Sequence, residues 1–314
     1  MKGAQNRMKY TELKAAFMTA RSDKSAATVK AYRVSFDRFG AFCGEQTPTE
    51  QIDSATILAY RAALERGGVS QNSVSDYLKK LSSLFTFAVE HSFVQDNPVR
   101  KSDIPRQKFA HDLLSKEQIE QTLTRAPSKV PNMHVKNAAR NRAIVFVLLC
   151  CGLRNSELRA LTPADLDFES GTISVRHGKG DKYRAAPFPA KAQEAVKAYL
   201  ASGARPQNTT QDAPLFGTTS DKTGRKNSAE WHAMSAVGLE KIVEQYFEQT
   251  TGKKGLKVHA LRHAAASLWD DLGVPMRDVQ QALGHASIST TEQIYVKVLN
   301  KCKAARSINT AFDA

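Results

Sequence analysis

Apolar residues recur at intervals of three and four through four stretches between Tyr10 and Glu90. Val29, Tyr32, Phe36, Phe39 and Cys43 make one stripe, opposite Lys30, Arg33, Asp37 and Arg38. Val74, Tyr77, Leu78, Leu81, Leu84, Phe85 and Ala88 make another, with Ser70 and Ser73 upstream as candidate N-caps. Shorter patterns around Leu13 and Phe17, and around Ile57, Tyr60 and Leu64, complete four predicted helices, and Gly67-Gly68 breaks the third from the fourth. The expectation is a four-helix domain over residues 1–97. From Pro98 the apolar period stops, Pro105 follows and the composition turns basic, which predicts a linker over residues 98–110. A new helix opens at Ser115, with Gln118 at capping-box spacing, inside a second domain over residues 111–314.

The pattern in the second half is more varied. An apolar helix from Asn141 to Cys151 ends at Gly152, and a short helix starts at Asn155-Ser156. Thr172 to Arg176 alternates polar and apolar, His177 to Asp181 is turn chemistry, and Tyr183 to Phe188 returns as a partner strand. Helical spacing resumes through Val237, Leu239, Ile242, Val243 and Phe247, then from Val258 through Ala266 and Trp269, with a stop at Gly273 and Pro275 beyond. Ser289 and Glu292 have capping-box spacing, which sets Tyr295 near the start of a last helix. The chain is therefore expected to be mainly α with one small β-hairpin, the second domain being of the α+β kind.

Composition narrows the function. With 314 residues, 41% hydrophobic and 24% charged, the chain has the make-up of a folded globular protein. Its 45 Lys+Arg against 31 Asp+Glu leave +14, an excess that points to a polyanionic partner, although basic enzymes without one exist. The longest apolar run, Ala143 to Leu153, is about half the length of a membrane-spanning helix, so no membrane association is expected. Met1 to Arg7 leads into no signal sequence, which predicts a cytoplasmic location. Cys43, Cys150, Cys151 and Cys302 form no CxxC and read as small buried hydrophobes or bystanders, neither disulfides nor zinc ligands. No GxxxxGK[ST], GxGxxG or HExxH string is present, and neither a metal nor another cofactor is expected.

Several strings carry candidate chemistry, each with an ordinary structural explanation when taken singly. Arg154 stands at a helix break with Glu157 three residues on; the carboxylate can aim the guanidinium at a ligand, or the two can be a surface pair. Lys179 lies between Gly178 and Gly180 at the hairpin tip, free to enter a groove or simply solvated. His259 and Arg262, three apart, share a helix face while Leu261 turns to the core. His285 closes the string Leu283-Gly284-His285, and Tyr295 follows ten residues later. Lys79 and Lys80 flank the fourth stripe and are candidate phosphate contacts.

The ordered combination resembles the tyrosine recombinase (phage integrase) family: CGLRxSEL, a glycine-flanked lysine hairpin, HALRH, LGH and a downstream tyrosine. The resemblance spans nearly the whole chain and implies an N-terminal core-binding domain followed by a catalytic domain. With only about nine residues before the first helix, it is similar to the two-domain members that lack an arm-binding domain. It implies that Arg154, Lys179, His259, Arg262 and His285 are catalytic, that Tyr295 is the nucleophile, and that Glu157 supports Arg154. It also makes Arg225 and Lys226 candidate DNA contacts. The implied partner is double-stranded DNA at recombination sites, held by a homotetramer, with the tail from Lys297 to Ala314 docking on a neighbouring protomer or closing its own core. Such chemistry needs a phenolate, cations on the phosphate oxygens and a proton for the leaving alkoxide. Two rivals stay open at this level: a type IB topoisomerase-like enzyme that nicks and reseals, and a DNA-bridging protein that does not cut.

Overall fold

A computed structural model of the chain describes residues 8–106, 114–124, 135–176, 183–219 and 230–284. Two compact units emerge, Met1–Ala110 and His111–Ala314.

The first unit is built on α1 (Tyr10–Ala20), α2 (Ala26–Cys43), α3 (Ser54–Arg66) and α4 (Gln71–Glu90), as the apolar stripes predict. Three starts are fixed by side-chain caps: Ser25 accepts from the Thr28 N–H at 3.3 Å, Asp53 from Thr56 at 2.8 Å, and Ser70 from Ser73 at 3.3 Å. Ser70 is thus the cap of α4, and Ser73 its target. Aromatic rings fill the centre. Phe17 meets Tyr32, Phe36 and Phe87 edge-on, with ring centroids 5.1, 5.3 and 5.5 Å apart. The buried Tyr10 hydroxyl donates to the Phe36 carbonyl at 2.9 Å.

The stretch expected to be linker from residue 98 differs from that expectation over its described part. Val99 is buried in the first unit's core, its N–H donating to Asn97 Oδ1 at 2.9 Å, and Arg61 donates to the Asp103 carbonyl at 3.0 Å. Gln71 reaches the Arg106 carbonyl at 3.2 Å. Proline stops helices there, but Val99 and Ile104 against the core and these hydrogen bonds to backbone carbonyls hold the segment down.

In the second unit, α5 (Lys116–Thr124) begins with the anticipated reciprocal cap: the Ser115 N–H donates to Gln118 at 3.0 Å and the Gln118 N–H to the Ser115 hydroxyl at 3.2 Å. The apolar run lies in α6 (Val135–Cys151), where Ala143 to Leu149 are all buried. A helix apolar all round belongs in the centre of a domain. Around α6 pack α8 (Ala190–Ala201), α9 (Ala236–Thr251) and α10 (Val258–Asp271). Between α6 and α8 come the short α7 (Asn155–Ala160) and an antiparallel sheet of order β1-β2-β3. Its strands are Leu166–Asp167, Thr172–Val175 and Arg184–Pro187. The two predicted hairpin strands pair antiparallel, each shortened by a residue or two, with the expected turn lying outside the described residues, while β1 adds an edge strand too short to leave a periodic signal. A second pairing, β4 (Gly217–Thr218) with β5 (His232–Ala233), is equally short. Last of the described elements is α11 (Met276–Leu283), held to α10 by a cluster of Ala265, Ala266, Trp269, Val279 and Leu283.

Among the described residues no helix is long and apolar enough to cross a membrane, and no group of three or more His, Cys, Asp or Glu is arranged to hold a metal. Cys150 and Cys151 are buried and Cys43 is half-buried, all three as free thiols.

Truncating the ring at the centre of the first unit tests this packing. Phe17→Ala should lower the free energy of urea unfolding of that unit by about 3–5 kcal/mol, through lost burial and a cavity that the facing rings cannot close.

Candidate active site

The site is assembled at helix ends. Gly152, at φ +63°, turns the chain between α6 and α7, and a Cβ there would lie 2.9 Å from Leu283 and 3.0 Å from Trp269. Only glycine combines that backbone conformation with so close an approach. Arg154 then stands at the N-terminus of α7, and Glu157 folds back so that its Oε2 accepts from the Arg154 backbone N–H at 2.7 Å. Glu157 Oε1 also accepts from Arg154 Nη1 at 2.7 Å. The Glu157 side chain is 1% exposed, so the alternative of a surface ion pair is excluded by burial.

A buried carboxylate needs all its lone pairs met. Arg184, at the start of β3, meets the remainder with both forks, Nη1 to Oε1 at 3.0 Å and Nη2 to Oε2 at 2.8 Å. Arg262 on α10 comes third, its Nη1 3.9 Å from Glu157 Oε2 and only 2% of its side chain exposed. The sequence places His259 and Arg262 on one face; the structure sinks Arg262 into the interior together with Leu261 and His263. What makes that depth tolerable is the backbone around it, since Arg262 Nη1 donates to the Gly152 carbonyl at 2.6 Å and Nη2 to the Leu283 carbonyl.

The C-terminus of α11 completes the cluster. Its last carbonyls, lacking helical partners, each receive one arginine: Ala282 from Arg184 Nε at 2.8 Å, Leu283 from Arg262, and Gly284 from Arg154 Nη2 at 2.8 Å. Cations at the negative end of a helix are favourably placed. Gly284, at φ +64°, leaves no room for a side chain, because a Cβ would fall 2.8 Å from Arg184 Cδ.

Charge is shifted accordingly. Burial pushes the Glu157 carboxyl up, but hydrogen bonds from Arg184 and Arg154 outweigh it and hold the carboxyl below the usual range. For Arg262, burial and then the neighbouring Arg154 charge lower the guanidinium's affinity for its proton, against the pull of Glu157. Three guanidiniums around one carboxylate leave positive charge in excess.

That excess faces a cleft of about 400 Å³ lined by Arg154, Asn155, Arg159, Glu240, His259 and Arg262, among others. His259 is exposed there, with its ring edge-on to buried His263 at a centroid distance of 4.4 Å. Glu240 of α9 ties the walls together, accepting from the Val258 N–H at 2.9 Å and from Asn155 Nδ2 at 3.2 Å. The structure thus brings together Arg154, Glu157, His259 and Arg262. Lys79 and Lys80 belong to the first unit, beside a groove between α2 and α4; Lys79 is exposed and Lys80 is paired with Asp76 one turn earlier. Lys179, Arg225, Lys226, His285, Tyr295 and the tail from Lys297 lie outside the described residues.

Sequence reasoning missed Arg184 and Glu240. A signal for Arg184 exists: it pairs in register with buried Val175 and shares its phase with Ala186 and Phe188, so an arginine occupies the core-facing position of a strand. Glu240 carries no comparable mark, being one of several charges on an amphipathic helix.

The pattern of the Phage integrase family matches residues 112–301, and that of the Phage integrase SAM-like domain matches residues 10–104. Tyrosine recombinase XerC of Lacticaseibacillus casei (strain BL23) is 30% identical over 278 residues, covering 87% of this chain and 89% of the relative. Tyrosine recombinase XerA of Thermococcus onnurineus (strain NA1) is 31% identical over 277 residues, 88% of this chain and 86% of the relative. In fold, the chain is similar to the Tn1549 transposon integrase in complex with transposon right end DNA, with a TM-score of 0.73 at 20% identity over 97% of this chain and 100% of that one. It is also similar to the XerH site-specific recombinase bound to its palindromic difH substrate, with a TM-score of 0.68 at 22% identity over 95% and 84%.

Removing the central charge should be costly. Glu157→Gln keeps the shape but strands buried guanidiniums, and a loss of about 3–5 kcal/mol in unfolding free energy is expected. Because the folded pKa of Glu157 is lowered, its contribution is complete at neutral pH and fades once pH falls below about 4.3, the unfolded value, through the lower folded one. The stability gap between wild type and Glu157→Gln, measured by urea unfolding across pH, should therefore be flat near neutrality and close in acid.

Proposed function

The chain belongs to the phage integrase family as a tyrosine recombinase, and on that premise we propose that it cuts and rejoins DNA at specific sites through a 3′-phosphotyrosyl bond to Tyr295. The observation that carries the assignment of roles is the cleft in which Arg154, Arg262 and His259 converge, with both arginines fixed from behind by Glu157 and backbone carbonyls. Donors fixed before the reaction stabilise developing charge without reorganising, each arginine contributing about 3 kcal/mol.

In this reading the Tyr295 phenolate attacks phosphorus, forming the P–O bond to tyrosine while the bond to the 5′ oxygen breaks. Arg154 and Arg262 hold the non-bridging oxygens, and His285 adds a hydrogen bond to one of them. His259 takes part in proton transfer with Tyr295, and Lys179 protonates the departing 5′ oxygen. The phosphotyrosyl bond conserves the energy of the phosphodiester, so a 5′ hydroxyl from a second duplex reverses the step without ATP. Residues 1–97 act as the core-binding domain, with Lys79 and Lys80 as phosphate contacts, and Arg225 and Lys226 add contacts from the catalytic domain of residues 111–314. Four protomers on two DNA sites exchange strands pairwise through a Holliday junction, the tail from Lys297 docking between neighbours, and the reaction takes place in the cytoplasm.

Incubation with a duplex carrying a nick near the cleavage site, which traps the covalent adduct, tests the nucleophile. Tyr295→Phe should abolish the adduct and leave binding intact; an adduct that persists moves the nucleophile elsewhere. Appearance of recombinant junctions separates this reading from relaxation alone, which a topoisomerase-like enzyme would give. Lys179→Ala should be slow on ordinary DNA and much closer to wild type when bridging sulfur replaces the 5′ oxygen, since a thiolate leaves without a proton; equal defects on both substrates would remove Lys179 from the general-acid role. Binding should weaken steeply with salt, by a log–log slope of about −0.9 for each phosphate neutralised.

A further inference from the structure

Glu157 accepts four hydrogen bonds, two from Arg154 and two from Arg184. A carboxylate offers about four lone-pair sites, so it is saturated. Arg262, at 3.9 Å, feels the charge without donating to it, and its own N–H groups go to the carbonyls of Gly152 and Leu283. Arg184 differs from the other two arginines in place: it is not among the residues lining the cleft, and its side chain is 9% exposed. It therefore contributes to the site without standing in it.

From this arrangement we propose that Arg184 is a positioning residue for strand cleavage, occupying Glu157 so that Arg154 and Arg262 remain aimed at the phosphate. The proposal rests on the recombinase reading given above. Take the Arg184 fork away and two lone pairs of a buried carboxylate fall empty. The nearest donors that can fill them are Arg262 and the guanidinium of Arg154, and each hydrogen bond they make to Glu157 turns a donor away from the cleft and neutralises charge the phosphate needs. Arg184 has a second attachment of the same kind. Its Nε donates to the Ala282 carbonyl at 2.8 Å, and its Cδ would lie 2.8 Å from a Cβ at Gly284, so the same side chain packs against the C-terminal end of α11. One planar group thus joins β3 to α7 with Arg154 and to the end of α11. Lysine cannot reproduce that, because one ammonium has no fork to match a carboxylate while also reaching a carbonyl.

The test uses the full chain as wild type, Arg184→Met, Arg184→Lys, Glu157→Gln and the double variant Arg184→Met/Glu157→Gln, with adduct formation on the nicked duplex followed in single turnover and DNA binding measured separately. Arg184→Met should bind DNA as wild type does and cleave about 100-fold more slowly, the scale of a reacting group displaced by roughly an ångström. Arg184→Lys, which keeps the charge without the fork, should fall between Arg184→Met and wild type. The discriminating readout is the double variant. If the unsatisfied carboxylate captures Arg154 and Arg262, neutralising it in the Arg184→Met background releases them, and the double variant should cleave faster than Arg184→Met. A purely structural loss predicts the reverse, with the double variant slower than either single one, and that result overturns the proposal. So does cleavage at the wild-type rate by Arg184→Met or, should that variant fail to fold, by Arg184→Lys. Absence of an adduct with the wild-type protein instead overturns the recombinase reading and is told apart by that control.

Discussion

Glu157 holds a negative charge in the interior of the second unit, with 1% of its side chain exposed, and much of the local architecture answers to that constraint. Such a charge is stable only if it is fully hydrogen-bonded and paired. The partners come from α7, β3 and α10, and through their remaining donors the same arginines seize the last carbonyls of α11. Satisfying one carboxylate thus fixes four elements relative to one another. The glycines serve the same end: Gly152 and Gly284 bring backbone close enough for those carbonyls to be reached.

The arrangement also explains how positive charge can be held in a place that disfavours it. Burial lowers the proton affinity of Arg262, and Arg154 adds repulsion, yet the guanidinium stays because two carbonyls and a nearby carboxylate surround it. The outcome is a rigid, partly desolvated cationic wall. Its donors are already oriented before any anion arrives, the condition under which electrostatic stabilisation of a transition state is largest. The chain's overall +14 is a different matter, a long-range and salt-screened attraction spread over both units.

Parts of this were legible in the sequence for definite reasons. The helices of the first unit follow from apolar spacing, and Ser70, Ser115 and Gln118 mark helix starts because capping acts over three residues. The stretch after Asn97 was less legible: proline and basic residues look the same in a free linker and in a segment anchored by Val99 and by donors from distant helices. Arg154, Glu157, His259 and Arg262 stood out by motif, but the depth of Arg262 did not, since a three-residue spacing places two side chains on a face without saying whether that face meets water. Arg184 left only its out-of-place position in the apolar phase of a strand.

By itself, then, the sequence determined the four helices of the first unit, the two strands of the hairpin, several helices of the second unit, the break at Gly152 and the residue types available for phosphate chemistry. These depend on hydrogen bonds and side-chain periodicity within a few residues of the chain. The tertiary structure alone decided that Arg154 would reach the carbonyl of Gly284, 130 residues away, that Arg262 would reach Gly152 across 110, and that Arg184 would reach Glu157 across 27. It decided as well that Glu157 would be buried, and with that burial turned three separate arginines into one site. Periodicity cannot carry that information, because which distant donor completes a buried carboxylate is settled only when the chain has closed around it.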